Sequence, residues 1–195
     1  MTDNTTEYYN KNSLEFIEGT INVDTGILRD RFLKYIPSGG KILDLGCGSG
    51  RDTKCFLEAG YQVTAIDASQ ELCLKATEYT GINVRCTRFE ELNDVKEYDG
   101  VFACASLLHV QEGDLPDILT KINKALKQQG VLYASFKYGD FAGERDGRYF
   151  HDMNEVSVEE LFITVSGFRI EEVWQSHDVR RDKEVYWINV IARNI

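Results

Sequence analysis

A glycine-rich segment follows an acidic side chain in the first third of the chain. The stretch DLGCGSG, residues 44–50, places glycines at three alternate positions directly after a short apolar run, Lys41–Leu45. Glycine lets the backbone come close to a ligand where a buried strand turns into a helix. The pattern therefore predicts a loop whose backbone borders a nucleotide-like molecule.

Two kinds of ligand are compatible with such a loop, a dinucleotide and a nucleoside that carries an amino acid. A dinucleotide-binding loop has the pattern G-x-G-x-x-G, and counting from Gly46 its last glycine falls on Arg51. Asp44 stands where that loop has an apolar residue, and its carboxylate would repel a pyrophosphate but attract an ammonium group. The residues favour a nucleoside that carries an amino acid over a dinucleotide.

Further polar and aromatic residues follow the next predicted strands. Asp67 ends the second strand, where an acid accepts hydrogen bonds from ribose hydroxyls. Phe89 and Glu90 follow the third strand and are placed to border a base. The strand Tyr98–Ala105 leads to His109, and its carboxyl end lies beside the glycine loop at the point where ligands bind such sheets.

These residues need a scaffold in which helices and strands alternate. Apolar periodicity and glycine stops predict helices over 24–36, 51–59, 69–80, 111–127 and about 158–165, and strands over 41–45, 61–67, 83–88, 98–105, 131–136, 168–174 and 184–192. Apolar strands alternating with helices indicate a doubly wound, Rossmann-like α/β fold with helices on both faces of a mostly parallel seven-stranded sheet. The last two strands follow each other without a helix and should form an antiparallel hairpin.

The chain length of 195 residues suits one domain. We divide the domain, residues 1–195, into four predicted parts. They are an N-terminal helical flap (1–40), a cofactor-binding core (41–136), a substrate-side loop (137–156) and a C-terminal helix with hairpin (157–195).

Composition excludes several functional classes. Acidic residues number 32 against 22 basic ones, and the net charge of −10 argues against broad nucleic-acid binding. No apolar run reaches the roughly 18 residues of a membrane helix. The polar start of the chain indicates no secretory signal, and five dispersed cysteines without a C-x-x-C pair indicate reduced thiols in the cytoplasm and no metal site.

Four motifs in this order give the chain a family resemblance. KILDLGCGSGRD, VTAIDAS, FEEL and YDGVFACASLLHV resemble the class I S-adenosylmethionine-dependent methyltransferases over roughly residues 41–136. The resemblance implies S-adenosylmethionine as cofactor and S-adenosylhomocysteine as product. Within the family, the small stand-alone enzymes of the tellurite-resistance type are the nearest in organisation.

The same resemblance assigns roles along the core. It places the methionine part at the glycine loop, its ammonium group near Asp44, the ribose at Asp67, and the adenine between Phe89 and Glu90. The backbone after the fourth strand closes the methionine side. The implied cofactor-binding set is Asp44, Gly46, Cys47, Gly48, Gly50, Arg51, Asp67, Ala68, Phe89, Glu90, Cys104 and Ala105.

The acceptor side is less determined by the sequence. His109 is the candidate catalytic residue; the alternative is a helix-start histidine bonded to backbone. Arg51 could pair with the cofactor carboxylate or with Asp52. The candidate substrate-binding residues are Tyr8, Tyr9, Arg145, Arg148, Tyr149 and His151; the two tyrosines either cover the sulfonium by a cation–π contact or pack on the sheet, and the arginines either hold an anionic acceptor or are solvated.

Three functions remain open from the sequence. The first is methyl transfer to a small-molecule acceptor with a soft or anionic nucleophile, by a monomer or homodimer. The second is tRNA modification, because residues 143–150 resemble a segment of methyltransferases that act on wobble uridines. The third is a non-catalytic module that binds the cofactor.

Overall fold

The computed structural model describes residues 3–179 and 185–195. Its strands are β1 (Lys41–Leu45), β2 (Gln62–Asp67), β3 (Arg85–Cys86), β4 (Tyr98–Ala103), β5 (Leu126–Lys137), β6 (Ala142–Arg145), β7 (Arg148–His151), β8 (Phe168–His177) and β9 (Tyr186–Asn194). Its helices are α1 (Asp3–Lys11), α2 (Ser13–Thr20), α3 (Gly26–Leu33), α4 (Arg51–Glu58), α5 (Gln70–Thr80), α6 (Leu115–Ala125) and α7 (Glu155–Thr164). None of the helices in these two ranges is long and apolar enough to span a bilayer.

Seven strands form one sheet in the order β3-β2-β1-β4-β5-β9-β8. Pairing is parallel from β3 to β5, and β9 is antiparallel to both β5 and β8. This arrangement confirms the predicted mostly parallel sheet with an antiparallel C-terminal hairpin. The strand order reverses between β1 and β4, so the crevice at their carboxyl ends is the expected ligand site.

Both faces of β1 are buried, which explains its unbroken apolar sequence. Ile42 packs in a cluster with aromatic residues on one face, and Leu43 belongs to a larger cluster on the other. In the aromatic cluster, Phe102 of β4 lies 5.2 Å from Phe32 and stacks on Tyr133 of β5 at 4.6 Å between ring centroids. This packing fixes the strands whose ends carry the candidate site.

A two-stranded hairpin of β6 and β7 occupies the segment predicted as an irregular loop. Its turn residues Asp146 and Gly147 have φ values of 53° and 74°. Two successive residues with positive φ are the signature of a tight hairpin turn, and Asp-Gly is a preferred sequence for it. The irregular prediction was wrong because this turn signal was missed.

Several predicted boundaries also need correction. The first predicted helix, 24–36, extends only over Gly26–Leu33, and the 111–127 helix begins at Leu115. That helix ends at Ala125 because the chain passes directly into β5, which pairs with β4. The predicted last strand begins at Glu184, which lies outside the described residues.

Candidate active site

A cavity of about 750 Å³ opens at the carboxyl ends of the central strands. Its walls come from the loop after β1, from the ends of β2, β4 and β5, and from α1 and α2, which cover it. Twelve of the residues singled out in the sequence line it: Tyr8, Tyr9, Asp44, Gly46, Cys47, Gly48, Arg51, Asp67, Cys104, Ala105, His109 and Arg148.

The glycine loop depends on glycine for both conformation and space. Gly46 and Gly48 have φ values of 79° and 55°. A Cβ on Gly46 would lie 2.5 Å from Cβ of Ser106, and the Ser106 hydroxyl donates to the Leu45 carbonyl at 2.6 Å. The loop therefore lies directly against the end of β4, and backbone lines this part of the cavity.

Asp67 is buried at the end of β2 and organises the same loop. Its carboxylate accepts hydrogen bonds from the backbone N–H groups of Gly48 and Ser69, each at 2.9 Å. Burial raises the pKa of Asp67, although these backbone donors act in the opposite direction. The two carboxylate oxygens have four lone pairs in all, so the group can still accept a hydroxyl from the cavity.

Asp44 is a buried carboxyl with one hydroxyl donor. Thr53 donates to it at 2.5 Å. Burial, and then the negative charge of Asp52, raise the pKa of Asp44 to about 7. An ammonium group in the cavity would favour the ionised form of Asp44, which suits the charge expected for the ligand.

Arg51 pairs with Asp52, one of its two predicted partners. Its Nη2 lies 2.6 Å from Asp52, whose other oxygen contacts Arg29 at 2.7 Å. Burial alone would raise the pKa of Asp52, but Arg51, Thr25 and Arg29 outweigh it, and the pKa is lowered. This ionised group ties α3 to the start of α4 beside the glycine loop.

Tyr9 and His109 form a buried pair beneath α1. The Tyr9 hydroxyl lies 2.8 Å from His109 Nε2, and His109 Nδ1 lies 2.7 Å from the carbonyl of Tyr149. Because a carbonyl only accepts, Nδ1 carries the proton and Nε2 accepts from Tyr9. Arg148 in turn donates to the Tyr9 hydroxyl at 3.5 Å. His109 thus both lines the cavity and bonds to backbone.

Comparison with known proteins identifies a similar domain. Residues 42–130 match a family model described as a methyltransferase domain. The Burkholderia thailandensis 1,6-didemethyltoxoflavin-N1-methyltransferase, solved with 1,6-didemethyltoxoflavin and S-adenosylhomocysteine bound, superposes with a TM-score of 0.76 at 22% identity, covering 97% of this chain and 86% of that one. This chain therefore matches the methyltransferase domain family over residues 42–130, and its fold is that of the neighbour solved with S-adenosylhomocysteine.

Two relatives of this chain differ in the share of their length that matches it. The Bacillus subtilis protein YqeM, named as a methyltransferase, is 28% identical over 126 residues, which cover 57% of this chain and 51% of that protein. This chain therefore spans about half the length of that relative. An uncharacterized methyltransferase of Staphylococcus carnosus is 21% identical over 193 residues, covering 90% of this chain and 93% of that one. These matches show similarity to methyltransferases and leave the tellurite-resistance type as a prediction.

The other predicted site residues lie outside the cavity lining. Phe89 is buried under the loop, with Cζ 3.2 Å from the position of a Cβ on Gly46, and Glu90 lies 3.7 Å from Arg88. Arg145 pairs with Asp152 within the hairpin. The roles of this set rest on the sequence alone: Gly50, Ala68, Phe89, Glu90, Arg145, Tyr149 and His151.

Sequence reasoning missed the polar and aromatic residues that the flap and the later strands bring to the cavity. They include Asn12, Phe16, Thr20, Ser106, Ser135, Lys137, Trp187 and Asn189. Asn189 had a usable signal, because it interrupts an apolar strand; it is fully buried and accepts from Tyr133 at 2.8 Å. Within the described parts of the chain, no cluster of His, Cys, Asp or Glu could hold a metal ion.

The buried histidine gives the stability of the protein a testable pH dependence. Burial lowers the pKa of His109 from 6.5 to about 4. The folded state therefore disfavours the imidazolium, so its stabilising contribution is complete above about pH 6.5 and is lost as pH falls toward 4. Wild type should lose on the order of 3 kcal/mol more than His109→Gln across this window, measured by urea unfolding. Overlapping profiles would contradict this, and His177→Gln, which changes an exposed histidine, should follow wild type.

Proposed function

We propose that this chain binds S-adenosylmethionine in the half of the cavity beside the glycine loop and transfers its methyl group to a small-molecule acceptor. The observation that carries the proposal is the loop of residues 46–50 with Asp44 and Asp67 on either side, all three lining one cavity. The close backbone suits the methionine part, Asp44 suits its ammonium group, and the free lone pairs of Asp67 suit ribose hydroxyls.

The bound cofactor supplies an electrophilic methyl group on a sulfonium centre. The contribution of the protein is alignment of the acceptor and exclusion of water. Tyr9 and Phe16 support this function because they cover the cavity, with their ring centroids 5.1 Å apart. Phe16 also lies against the loop, since a Cβ on Gly48 would be 2.9 Å from its ring. We therefore assign α1 and α2 the role of a cover over the reacting groups.

The dimensions and charge of the site support a small organic acceptor. A volume of about 750 Å³ is within the usual range for small-molecule sites. The net charge of −10 opposes a phosphate-tracking surface for tRNA. The Burkholderia neighbour is a methyltransferase solved with a small heterocycle bound, which agrees with this class of acceptor.

The acceptor in this proposal is a soft or anionic nucleophile. His109 is the basic side chain closest to Tyr9 in the cavity, and its pKa of about 4 makes it a weak base near neutral pH. A neutral hydroxyl acceptor would require a stronger base. An acceptor that is already ionised, or a polarisable thiolate, requires none.

The cellular location and the oligomeric state are proposed from fewer observations. All five cysteines are free thiols, as expected for a protein of the reducing cytoplasm. We propose a cytoplasmic monomer or homodimer.

The proposal is tested by incubating the chain with methyl-labelled S-adenosylmethionine and a panel of small acids, thiols and phenols. Formation of S-adenosylhomocysteine with a labelled small product is the expected result. Turnover only with tRNA, together with salt-sensitive tRNA binding, would support the alternative of an RNA-modifying enzyme. Tight cofactor binding with no turnover of any acceptor would support a non-catalytic module.

A further inference from the structure

Arg148 stands in the cavity without an acidic partner. It contacts the Tyr9 hydroxyl at 3.5 Å, and its guanidinium carbon lies 4.4 Å from the ring centroid of Tyr8 and 5.1 Å from that of Phe150. In residues 3–179 and 185–195, none of the ion pairs involves Arg148. Its Nε is buried and has no hydrogen-bond partner. This is unexpected in a chain with ten more acidic than basic residues.

Neighbouring arginines also have an unpartnered buried Nε, but they differ from Arg148 in having an acidic partner. Arg145 lies directly opposite Arg148 in the β6–β7 ladder and binds both carboxylate oxygens of Asp152, at 3.0 and 3.1 Å. Arg51, the other arginine that lines the cavity, pairs with Asp52. The chain therefore neutralises both comparable arginines but not Arg148.

The described groups around Arg148 do not neutralise its positive charge. Tyr9 stays a neutral phenol because burial, the largest effect, raises its pKa. The buried carboxylates of the cavity have their own donors at the glycine loop: Thr53 for Asp44, Arg51 for Asp52, and backbone N–H groups for Asp67. The remaining carboxylates of the lining are Glu15, Asp24 and Asp178, and none of them forms an ion pair with Arg148.

The chemistry of the position selects one class of ligand. A guanidinium is planar and carries five N–H donors, which match the two oxygens of a carboxylate. Arg148 uses one of its nitrogens in the bond to Tyr9. Aromatic rings beside it can pack on a flat ligand. The aromatic side chains of the lining are Tyr8, Tyr9, Phe16, Phe150 and Trp187.

We propose that Arg148, Tyr8 and Phe150 form the acceptor subsite of this enzyme, and that the acceptor is a flat aromatic or heteroaromatic carboxylate. The inference rests on the proposed function, because it places the acceptor in the same cavity as the methyl donor. It identifies the group that recognises the acceptor and makes no claim about which acceptor atom is methylated.

The test uses three probes on the full chain saturated with S-adenosylhomocysteine. Benzoate is flat and anionic, benzamide is flat and neutral, and cyclohexanecarboxylate is anionic but not flat. Affinities are measured by ligand-observed NMR titration. Benzoate should bind roughly 10- to 100-fold more tightly than benzamide, the range expected for hydrogen bonds to a charged group, and more tightly than cyclohexanecarboxylate.

Variants of the two opposite arginines supply the matched comparison. Arg148→Gln should remove the preference for benzoate over benzamide while leaving the affinity for S-adenosylhomocysteine and the unfolding midpoint near those of wild type. Arg145→Gln should keep the preference. Equal binding of benzoate and benzamide to wild type, the same loss in both variants, or no binding of any probe would overturn the subsite. Failure of S-adenosylhomocysteine itself to bind would instead contradict the proposed function.

Discussion

Replacing Asp67 with alanine is expected to weaken the binding of S-adenosylhomocysteine roughly 100-fold, because two hydrogen bonds to a buried carboxylate are lost. The carboxylate of Asp67 also accepts a hydrogen bond from the backbone N–H of Gly48. The variant should therefore be less stable as well, by about 1–3 kcal/mol for the N–H left without an acceptor. Calorimetric titration gives the affinity and urea unfolding gives the stability.

Asp99→Ala is the matched control for Asp67→Ala. Asp99 also accepts a backbone N–H, from Lys41 at 2.8 Å, but it lies near the amino end of β4 and not at the cavity. This control should lose stability and keep the affinity for S-adenosylhomocysteine. If Asp67→Ala binds S-adenosylhomocysteine as tightly as wild type, Asp67 does not contact the ribose.

Gly46→Ala is expected to disrupt the loop itself. A Cβ at this position would lie 2.5 Å from Cβ of Ser106, and its φ of 79° is unfavourable for alanine. Strain and overpacking together should cost about 2–5 kcal/mol in the free energy of unfolding. Because the loop must move away from β4, S-adenosylhomocysteine binding should also fall below detection by calorimetry.

Gly60→Ala separates these two causes. Gly60 has a φ of 86°, but a Cβ there would meet nothing within 4 Å. The control therefore carries the backbone strain without the clash and should cost about 1 kcal/mol with unchanged binding. Similar losses in both variants would show that contact with Ser106 does not constrain the loop.

The parts of the fold that the sequence predicted are those whose signals are local. The run Lys41–Leu45 gave β1 with its observed bounds because both of its faces are buried and a glycine ends it. Ser69 and Gly81 delimit α5 because one caps its start and the other adopts a left-handed conformation at its end. The alternation of such strands and helices along the sequence was sufficient to predict the parallel sheet.

The parts that escaped prediction depend on contacts between distant segments. Nothing local shows that Tyr9 meets His109, since 100 positions separate them. The difference between Arg145 and Arg148 could not be predicted either, because it depends on contacts in the folded hairpin, where Arg145 meets Asp152 and Arg148 lines the cavity. The assignment of Phe89 to the adenine stays a prediction; its side chain is buried, with Cζ 3.2 Å from the position of a Cβ on Gly46.

The central claim is that the loop after β1 receives a nucleoside with a cationic amino-acid tail and not a diphosphate. Parallel calorimetric titrations of the full chain with S-adenosylhomocysteine and with NAD test it most directly. The account predicts saturable binding of S-adenosylhomocysteine, competed by S-adenosylmethionine, and no heat of binding with NAD. Binding of NAD at this loop, or of neither compound, would contradict it.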